Sequence, residues 1–403
     1  IDLKQDFSEA LNNLGTVRRE LGNISESIQC YRNAINVQDQ YAAAHSNLGL
    51  ALHDIGDFGE ALSSFRKALA INYDIAEVHY NLGTTLQALG RLSEAVESFR
   101  LSLSLNPNIA AAHTNLGLAL RDLGKWDEAS DSYKSAISIN PDSAEAHHNL
   151  GMLQLLEGNY VDGWQNYGWR WKLRKRECHP IALDKPLWDG TKANGKTIYV
   201  YSEQGLGDAI QFVRYLPLLK VEGYRVVLES PPSLKRLFQH SEVADEVIES
   251  GETPSPFDCH AALLDLPGLM RTTLQTIPSS SPYLNIDAEL RGKWQDKVNP
   301  SGAFRVGIAW AGNPEYNNDR YRSVDASLFK PIIETPNVCV HSLQVGKNKT
   351  ASEIFDRHVI DLAPSLIDFS ETAAAMSCFD LIVSVDTSVA HLAGSLGLPI
   401  WVP

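Results

Sequence analysis

AAAHSNLGLALHDIGDFGEALSSFRKALAIN, residues 42–72, decides how the first part of the chain is read. Its Asn47-Leu48-Gly49 core recurs at Asn13, Asn81, Asn115 and Asn149, always in steps of 34 residues. A second glycine follows at a constant offset, at Gly22, Gly56, Gly90, Gly124 and Gly158. Nine residues after each of these stands an aromatic: Tyr31, Phe65, Phe99, Tyr133 and Tyr167. Ala61, Ala95 and Ala129 provide small side chains where helices must approach closely. Five units in register, without an insertion, specify a stack in which each unit buries its apolar face against the next. Pro107 and Pro141 fall where the second helix of a unit has to stop.

The period and its marked positions resemble the tetratricopeptide repeat, with two helices and a turn per unit. The resemblance implies a superhelix with a concave groove for extended peptides or proteins. Two polar series run along it. His45, His79, His113 and His147 occupy equivalent positions. Stacked helices lie about 10 Å apart, too far for shared metal coordination, so these are read as half-buried structural histidines. Asn13, Asn47, Asn81, Asn115 and Asn149 adjoin the buried Leu-Gly pair, on the groove-lining helix of the family. An amide donates and accepts, so a row of them can hold a peptide backbone; equally, each can brace its own turn. Units such as AAAHSNLG resemble the repeats of the O-linked N-acetylglucosamine transferases, and this favours peptide binding.

After the fifth unit comes GWQNYGWRWKLRKRECHP, residues 163–180. Trp164, Trp169 and Trp171 are expected to pack a junction with the next domain. The basic residues Arg170, Lys172, Arg174, Lys175 and Arg176 are expected to complement a helix C-terminus. KPLWDGTKANG, residues 185–195, reads as an irregular linker.

From residue 196 the periodicity changes. KTIYVYS, RVVLES, DEVIES and AALLDL read as strands, with helices over 208–222 and 232–240. A polar stretch around DAELRGKWQDKVNPSGA interrupts the series. FRVGIAW, VCVHSLQVG, HVIDL, DLIVSV and PIWV then form a second one. Alternating strands and helices predict parallel α/β sheets with ligands at the carboxyl ends of the strands. Two successive Rossmann-like halves resemble the GT-B glycosyltransferases. The expected fold is therefore an all-α repeat superhelix over 1–177, a linker over 178–195, and Rossmann-like halves over 196–300 and 301–403. Relatives continue past a strand like PIWV into a C-terminal helix, so the second half is read as truncated.

SEQGLGDAIQFVRYLPLL, from residue 202, places Gly205, Gly207 and Asp208 between a strand and a helix. Glycines suit a tight turn, and Asp208 suits the N-cap or first turn. The segment resembles the N-terminal motif of the heptosyltransferase superfamily. There the aspartate is the proposed base that takes a proton from the acceptor hydroxyl, and Gly205 and Gly207 shape the acceptor loop. GIAWAGNPEYNNDRYRSV, residues 307–324, matches the loop that supplies cations to the donor diphosphate. Arg322 is the better match and Arg320 its neighbour; surface charge is the alternative for either. Guanidinium suits a diphosphate through paired, charge-assisted bonds. Gln344, in the VCVHSLQVG segment, is assigned to donor binding as well.

DLIVSVDTSVAHLAGSLGLP, residues 380–399, resembles the family's Asp-Thr-Gly-x-x-His motif, which binds the nucleotide diphosphate and sugar. Asp386 ends a buried strand, and Thr387 and Ser388 open a helix whose amides suit an anion. Ser388 replaces the family glycine. His391 lies one turn on, able to reach phosphate or to face the core. No DxD-like motif sits at a strand end of the second half, so no metal and no cofactor beyond the nucleotide-sugar substrate are expected. The resemblance implies inversion at the anomeric centre.

The formal charge of −14 argues against nucleic acid as the main partner. No run approaches the roughly 18 apolar residues of a membrane span. The five cysteines are scattered, which fits reduced thiols in the cytoplasm. A start at Ile1 rather than Met leaves a preceding segment open. The leading expectation is a cytoplasmic transferase moving sugar from a nucleotide-sugar to a protein held by the repeats. A scaffold with a degenerate transferase domain, and a transferase acting on a lipopolysaccharide-type glycan, remain as alternatives.

Overall fold

The structure is a computed structural model that describes residues 2–173, 184–193, 195–298, 302–315, 319, 322–346, 354–355 and 359–403. The chain divides into two compact units, Ile1–Arg176 and Glu177–Pro403.

The first unit is helical. Its helices are α1 (Asp2–Glu20), α2 (Ile24–Val37), α3 (Ala42–Asp54), α4 (Phe58–Ile71), α5 (Ala76–Ala88), α6 (Leu92–Leu105), α7 (Ala110–Asp122), α8 (Trp126–Ile139), α9 (Ala144–Leu156) and α10 (Tyr160–Tyr167). They pair as hairpins, and each hairpin packs on the next. The turn glycines explain why every first helix stops where it does. Gly56 has φ +80°, which a side chain resists, and the Asp57 amide returns to the Leu52 carbonyl. The Asn-Leu-Gly glycine does something else. A Cβ on Gly49 would lie 2.7 Å from the Phe65 ring, and one on Gly83 2.6 Å from that of Phe99. The glycine thus seats the aromatic of its own hairpin, and Tyr31, Phe65, Phe99 and Tyr133 are all buried. Ala61, Ala95 and Ala129 are fully buried, as close helix approach requires. These residues form a continuous run of apolar clusters along the unit.

The tryptophans near the end of the repeat unit make contacts inside it. Trp169 stacks on His147 with ring centroids 4.0 Å apart. Trp164 meets Tyr167 edge-on. Arg170 is buried between the rings of Tyr167 and Trp171, and Lys172 lies over Trp169. Arg170 is therefore an internal cation held by π faces rather than a solvated charge at a helix end. Arg174, Lys175 and Arg176 lie outside the described residues.

The second unit holds two parallel sheets. The first contains β1 (Thr197–Tyr201), β2 (Arg225–Ser230), β3 (Glu246–Glu249) and β4 (Cys259–Ala262), in the order β3-β2-β1-β4. The second contains β5 (Phe304–Ala309), β6 (Val338–Ser342), β7 (Val359–Asp361), β8 (Leu381–Ser384) and β9 (Ile400–Trp401), in the order β7-β6-β5-β8-β9. In each sheet the chain leaves the first strand on one side and later returns to its other side. The order therefore reverses between β1 and β4, and between β5 and β8, which is where α/β sheets bind ligands.

Several boundaries differ from the sequence reading. The helix expected over 208–222 is α11 (Leu206–Phe212), a 3-10 turn over Val213–Tyr215, and α12 (Leu216–Val221). Pro217, without an N–H, is accommodated by starting α12 afresh at its first turn. AALLDL is strand only through Ala262, after which a 3-10 turn and α14 (Leu266–Leu269) follow. A short apolar run does not tell strand from buried helix. The presumed linker is anchored as well. Leu187 bridges to His260 on β4, and buried Trp188 donates its indole N–H to Thr191 O and Tyr224 OH, each at 3.0 Å. Further helices of the unit are α13 (Pro232–His240), α15 (Ala288–Val298), α16 (Lys330–Ile333), α17 (Phe369–Met376) and α18 (Ser388–Ser395).

Candidate functional site at the strand ends

At the carboxyl end of β5 the chain runs through Trp310, Ala311 and Gly312. Ala309 pairs with Ser384 of β8, and the Val385 amide bonds to the Ala309 carbonyl at 3.1 Å. The loops after β5 and β8 are thereby neighbours. Gln344 is buried and spends its amide on the backbone. Its Oε1 accepts from Trp310 N at 3.1 Å and Ala311 N at 3.0 Å, and its Nε2 donates to Ala311 O at 3.0 Å. It braces the β5 loop through both ends of its amide. Arg322 stacks against the same loop, and its Nε donates to Asp319 Oδ1 at 3.1 Å. Arg320 lies outside the described residues.

After β8, Asp386 is exposed and Thr387 caps α18 with extended backbone, its hydroxyl 3.1 Å from Ser384 Oγ. Ser388 is the first residue of α18, so its amide and the next two have no intrahelical acceptor. His391 Nε2 lies 3.7 Å from Asp386 Oδ1, and the ring is 30% exposed. It therefore faces neither the core nor open solvent.

After β1, Asp208 is the third residue of α11 and its Oδ2 accepts from Gly205 N at 3.1 Å. This reaches back over the helix start like the acidic half of a capping box. The two glycines are not there for left-handed turns. Gly205 has φ −67° and ψ 167°, open to any residue, and Gly207 is absent from the positive-φ glycines. The reason for Gly207 is space: a Cβ there would lie 2.7 Å from His391 Cδ2. The glycine that precedes Asp208 is thus the floor on which His391 of the second half rests, and α11 packs on α18. The structure therefore brings Gly207, Asp208, Asp386, Thr387, Ser388 and His391 to one locality.

Residues that sequence reading passed over hold the two sheets together there. Tyr283 donates its hydroxyl to Ile210 O at 3.1 Å, its amide bonds to Ser395 O at 3.0 Å, and Arg214 lies over its ring. Burial raises the pKa of this phenol. Arg236 of α13 reaches Asp368 and Glu371 at the start of α17, both at 3.0 Å, and Trp294 Nε1 donates to Glu371 at 2.7 Å. Burial opposes ionisation of Glu371, but the Trp294 and Arg236 hydrogen bonds outweigh it and hold its pKa below the usual value. An i, i+3 acid–base pair such as Asp319–Arg322 was visible in the sequence; a partner 132 residues away, as for Arg236, was not.

In the repeat unit, Asn47 Nδ2 donates to Asn12 Oδ1 at 2.9 Å and Asn115 Nδ2 to Tyr80 OH at 3.2 Å, each reaching the preceding hairpin. Asn13 is exposed, Asn81 half-buried and Asn149 buried. The asparagine row is therefore partly committed to stacking. The histidines share a different device: Nε2 of His45, His79, His113 and His147 bonds to the carbonyl six residues earlier, at 3.0, 2.9, 3.1 and 3.1 Å. Each ring ties down the turn between hairpins. Among the described residues no helix is long and apolar enough to cross a membrane.

Comparison with known proteins places tetratricopeptide repeats at residues 6–74 and 76–109, and a TPR repeat at 117–158. The helical unit carries TPR repeats. Protein FlbA of Caulobacter vibrioides is 27% identical over 276 residues, which are 60% of this chain and 45% of FlbA. The chain thus spans less than half the length of that relative. Among solved structures, pilF of Pseudomonas aeruginosa is 23% identical over 42% of this chain and 77% of its own, with a TM-score of 0.40. YrrB, described as a TPR protein with an unusual peptide-binding site, is 21% identical over 41% of this chain and 86% of its own, with a TM-score of 0.37.

Proposed function

We propose that the second unit is a GT-B-type glycosyltransferase and that the TPR unit presents its protein or peptide acceptor. The observation that carries this reading is the seating of His391 on Gly207. It sets the carboxylate-bearing loop of one sheet beside the Asp386-Thr387-Ser388 helix start of the other. In the proposed reaction Asp208 takes the proton of the acceptor hydroxyl as its oxygen bonds to the anomeric carbon of the sugar. The bond from that carbon to the diphosphate oxygen breaks on the opposite face, which inverts the centre. Negative charge grows on the departing nucleoside diphosphate, where Arg322, His391 and the free amides of α18 are suited to receive it. No metal enters this scheme.

The test is to incubate the full chain with a panel of nucleotide-sugars and a peptide library and to follow nucleoside diphosphate release. Release that depends on both substrates supports the reading. Absence of release with every donor would refute it. The bonds from Asn47 to Asn12 and from Asn115 to Tyr80 favour a second reading, in which the repeats are a protein-binding scaffold whose asparagines are structural. In that case peptides bind without turnover.

A further inference from the structure

The loop after β5 contains a buried carboxylate that the proposed reaction does not use. Asp319 is 8% exposed and sits over Gly312, where an added Cβ would collide with its Oδ1 and lie 2.8 Å from an Arg322 Nη. One oxygen accepts from Arg322 Nε at 3.1 Å and the other from Ser323 Oγ at 2.7 Å. Ser323 Oγ in turn accepts from the Gly312 amide at 2.9 Å. The Asp319 carbonyl takes the amides of Arg322 and Ser323, at 3.1 and 2.8 Å, and the Val324 amide returns to Trp310 O. The result is a closed circuit from strand-end backbone through Ser323 and Asp319 to the Nε edge of Arg322. Asp319 is buried and Ser323 and Gly312 are half-buried, while the Arg322 side chain is 34% exposed. An arginine that only decorated a surface would need no buried carboxylate, and Gly312 would need no space above it.

We propose that Asp319 is a positioning residue that, with Ser323 and Gly312, fixes the Arg322 guanidinium for an anionic ligand of the diphosphate class. This rests on the transferase reading for the identity of the ligand. A long side chain loses rotamer freedom when it binds an anion. A carboxylate that already holds one edge of the fork removes part of that loss.

The experiment is a double-mutant cycle read by calorimetric titration of nucleoside diphosphates and the matching nucleosides into the full chain. The variants are Asp319→Asn, Ser323→Ala, Arg322→Ala and the Asp319→Asn/Arg322→Ala pair, each with its melting temperature measured. Arg322→Ala is expected to weaken diphosphate binding about 10- to 100-fold and to leave nucleoside binding unchanged. Asp319→Asn is expected to cost about tenfold in the presence of Arg322 and nothing further in its absence. Ser323→Ala, which leaves the carboxylate in place, is expected to give a smaller loss in the same direction. Equal losses from Asp319→Asn in both backgrounds would show a purely structural role and overturn the proposal. So would an unchanged affinity in the single variant. If the wild-type chain binds no diphosphate, the transferase reading fails first and this inference falls with it.

Discussion

Replacing Gly83 by alanine opposes two physical effects whose sizes the structure allows to be compared. Gly83 lies in the interior of α5, and glycine to alanine in a helix interior normally stabilises by about 1 kcal/mol. Here the new Cβ would stand 2.6, 2.7 and 3.0 Å from Cε1, Cδ1 and Cζ of Phe99, where carbon contacts need about 3.5 Å or more. Phe99 is fully buried, with Tyr80 against it, so the ring has nowhere to go. Overpacking of this kind costs about 1–3 kcal/mol, and three short contacts place it at the upper end. The net expectation is a loss of about 2 kcal/mol, a fall in melting temperature on the order of 4–8 °C for a unit of this size. Gly59→Ala is the control. It lies in the first turn of α4, with Asp57 Oδ1 at 3.8 Å as its nearest neighbour, and should be neutral or slightly stabilising. The assay is thermal unfolding followed by circular dichroism at the helix band. A melting temperature raised by Gly83→Ala would refute the seating of Tyr31, Phe65, Phe99 and Tyr133 on their glycines.

Asp208→Asn keeps an oxygen to accept the Gly205 amide but cannot take a proton, so turnover should fall about 10²- to 10⁴-fold with donor affinity retained; wild-type turnover would remove Asp208 from the chemistry. Changing Asn47, Asn81, Asn115 and Asn149 together to alanine should raise the acceptor KM and spare donor binding. Because Asn47 and Asn115 also bridge hairpins, the melting temperature should fall with it. A lowered melting temperature with an unchanged KM would leave the row purely structural. His341 is fully buried beside Phe379, and burial lowers its pKa from 6.5 to about 4. The unfolded chain therefore takes up this proton first as pH falls. Stability is full above about 6.5 and drops by about 3 kcal/mol on the way to about 4. Denaturant titrations across that window should show a shallower pH slope in His341→Leu, and identical slopes would contradict the assignment.

The repeat unit was legible because its signals are local and repeated. One 34-residue step, taken four times between five units, placed each helix pair and each buried aromatic. The parallel sheets were legible as alternation, yet their boundaries slipped where an apolar run such as AALLDL passes from strand to helix without a polar break. The site was legible in part. GLGD and DTSVAH announced themselves by residue type, but nothing local to either said that Gly207 gives up its side chain for His391, 184 positions later. Gln344 shows the same limit. A polar residue just past the end of a strand looks available for a ligand, and only the structure shows both ends of its amide returned to the backbone at 310–311.

That residues 202–208 and 386–391 wall a single ligand site can be measured directly by hydrogen–deuterium exchange of the full chain, with and without a saturating nucleoside diphosphate. If they do, amides at the start of α11 and at the start of α18 are protected together, with half-maximal protection at the same ligand concentration, while exchange in α3 to α8 is unchanged. Protection confined to one of the two segments, or to neither, would contradict it.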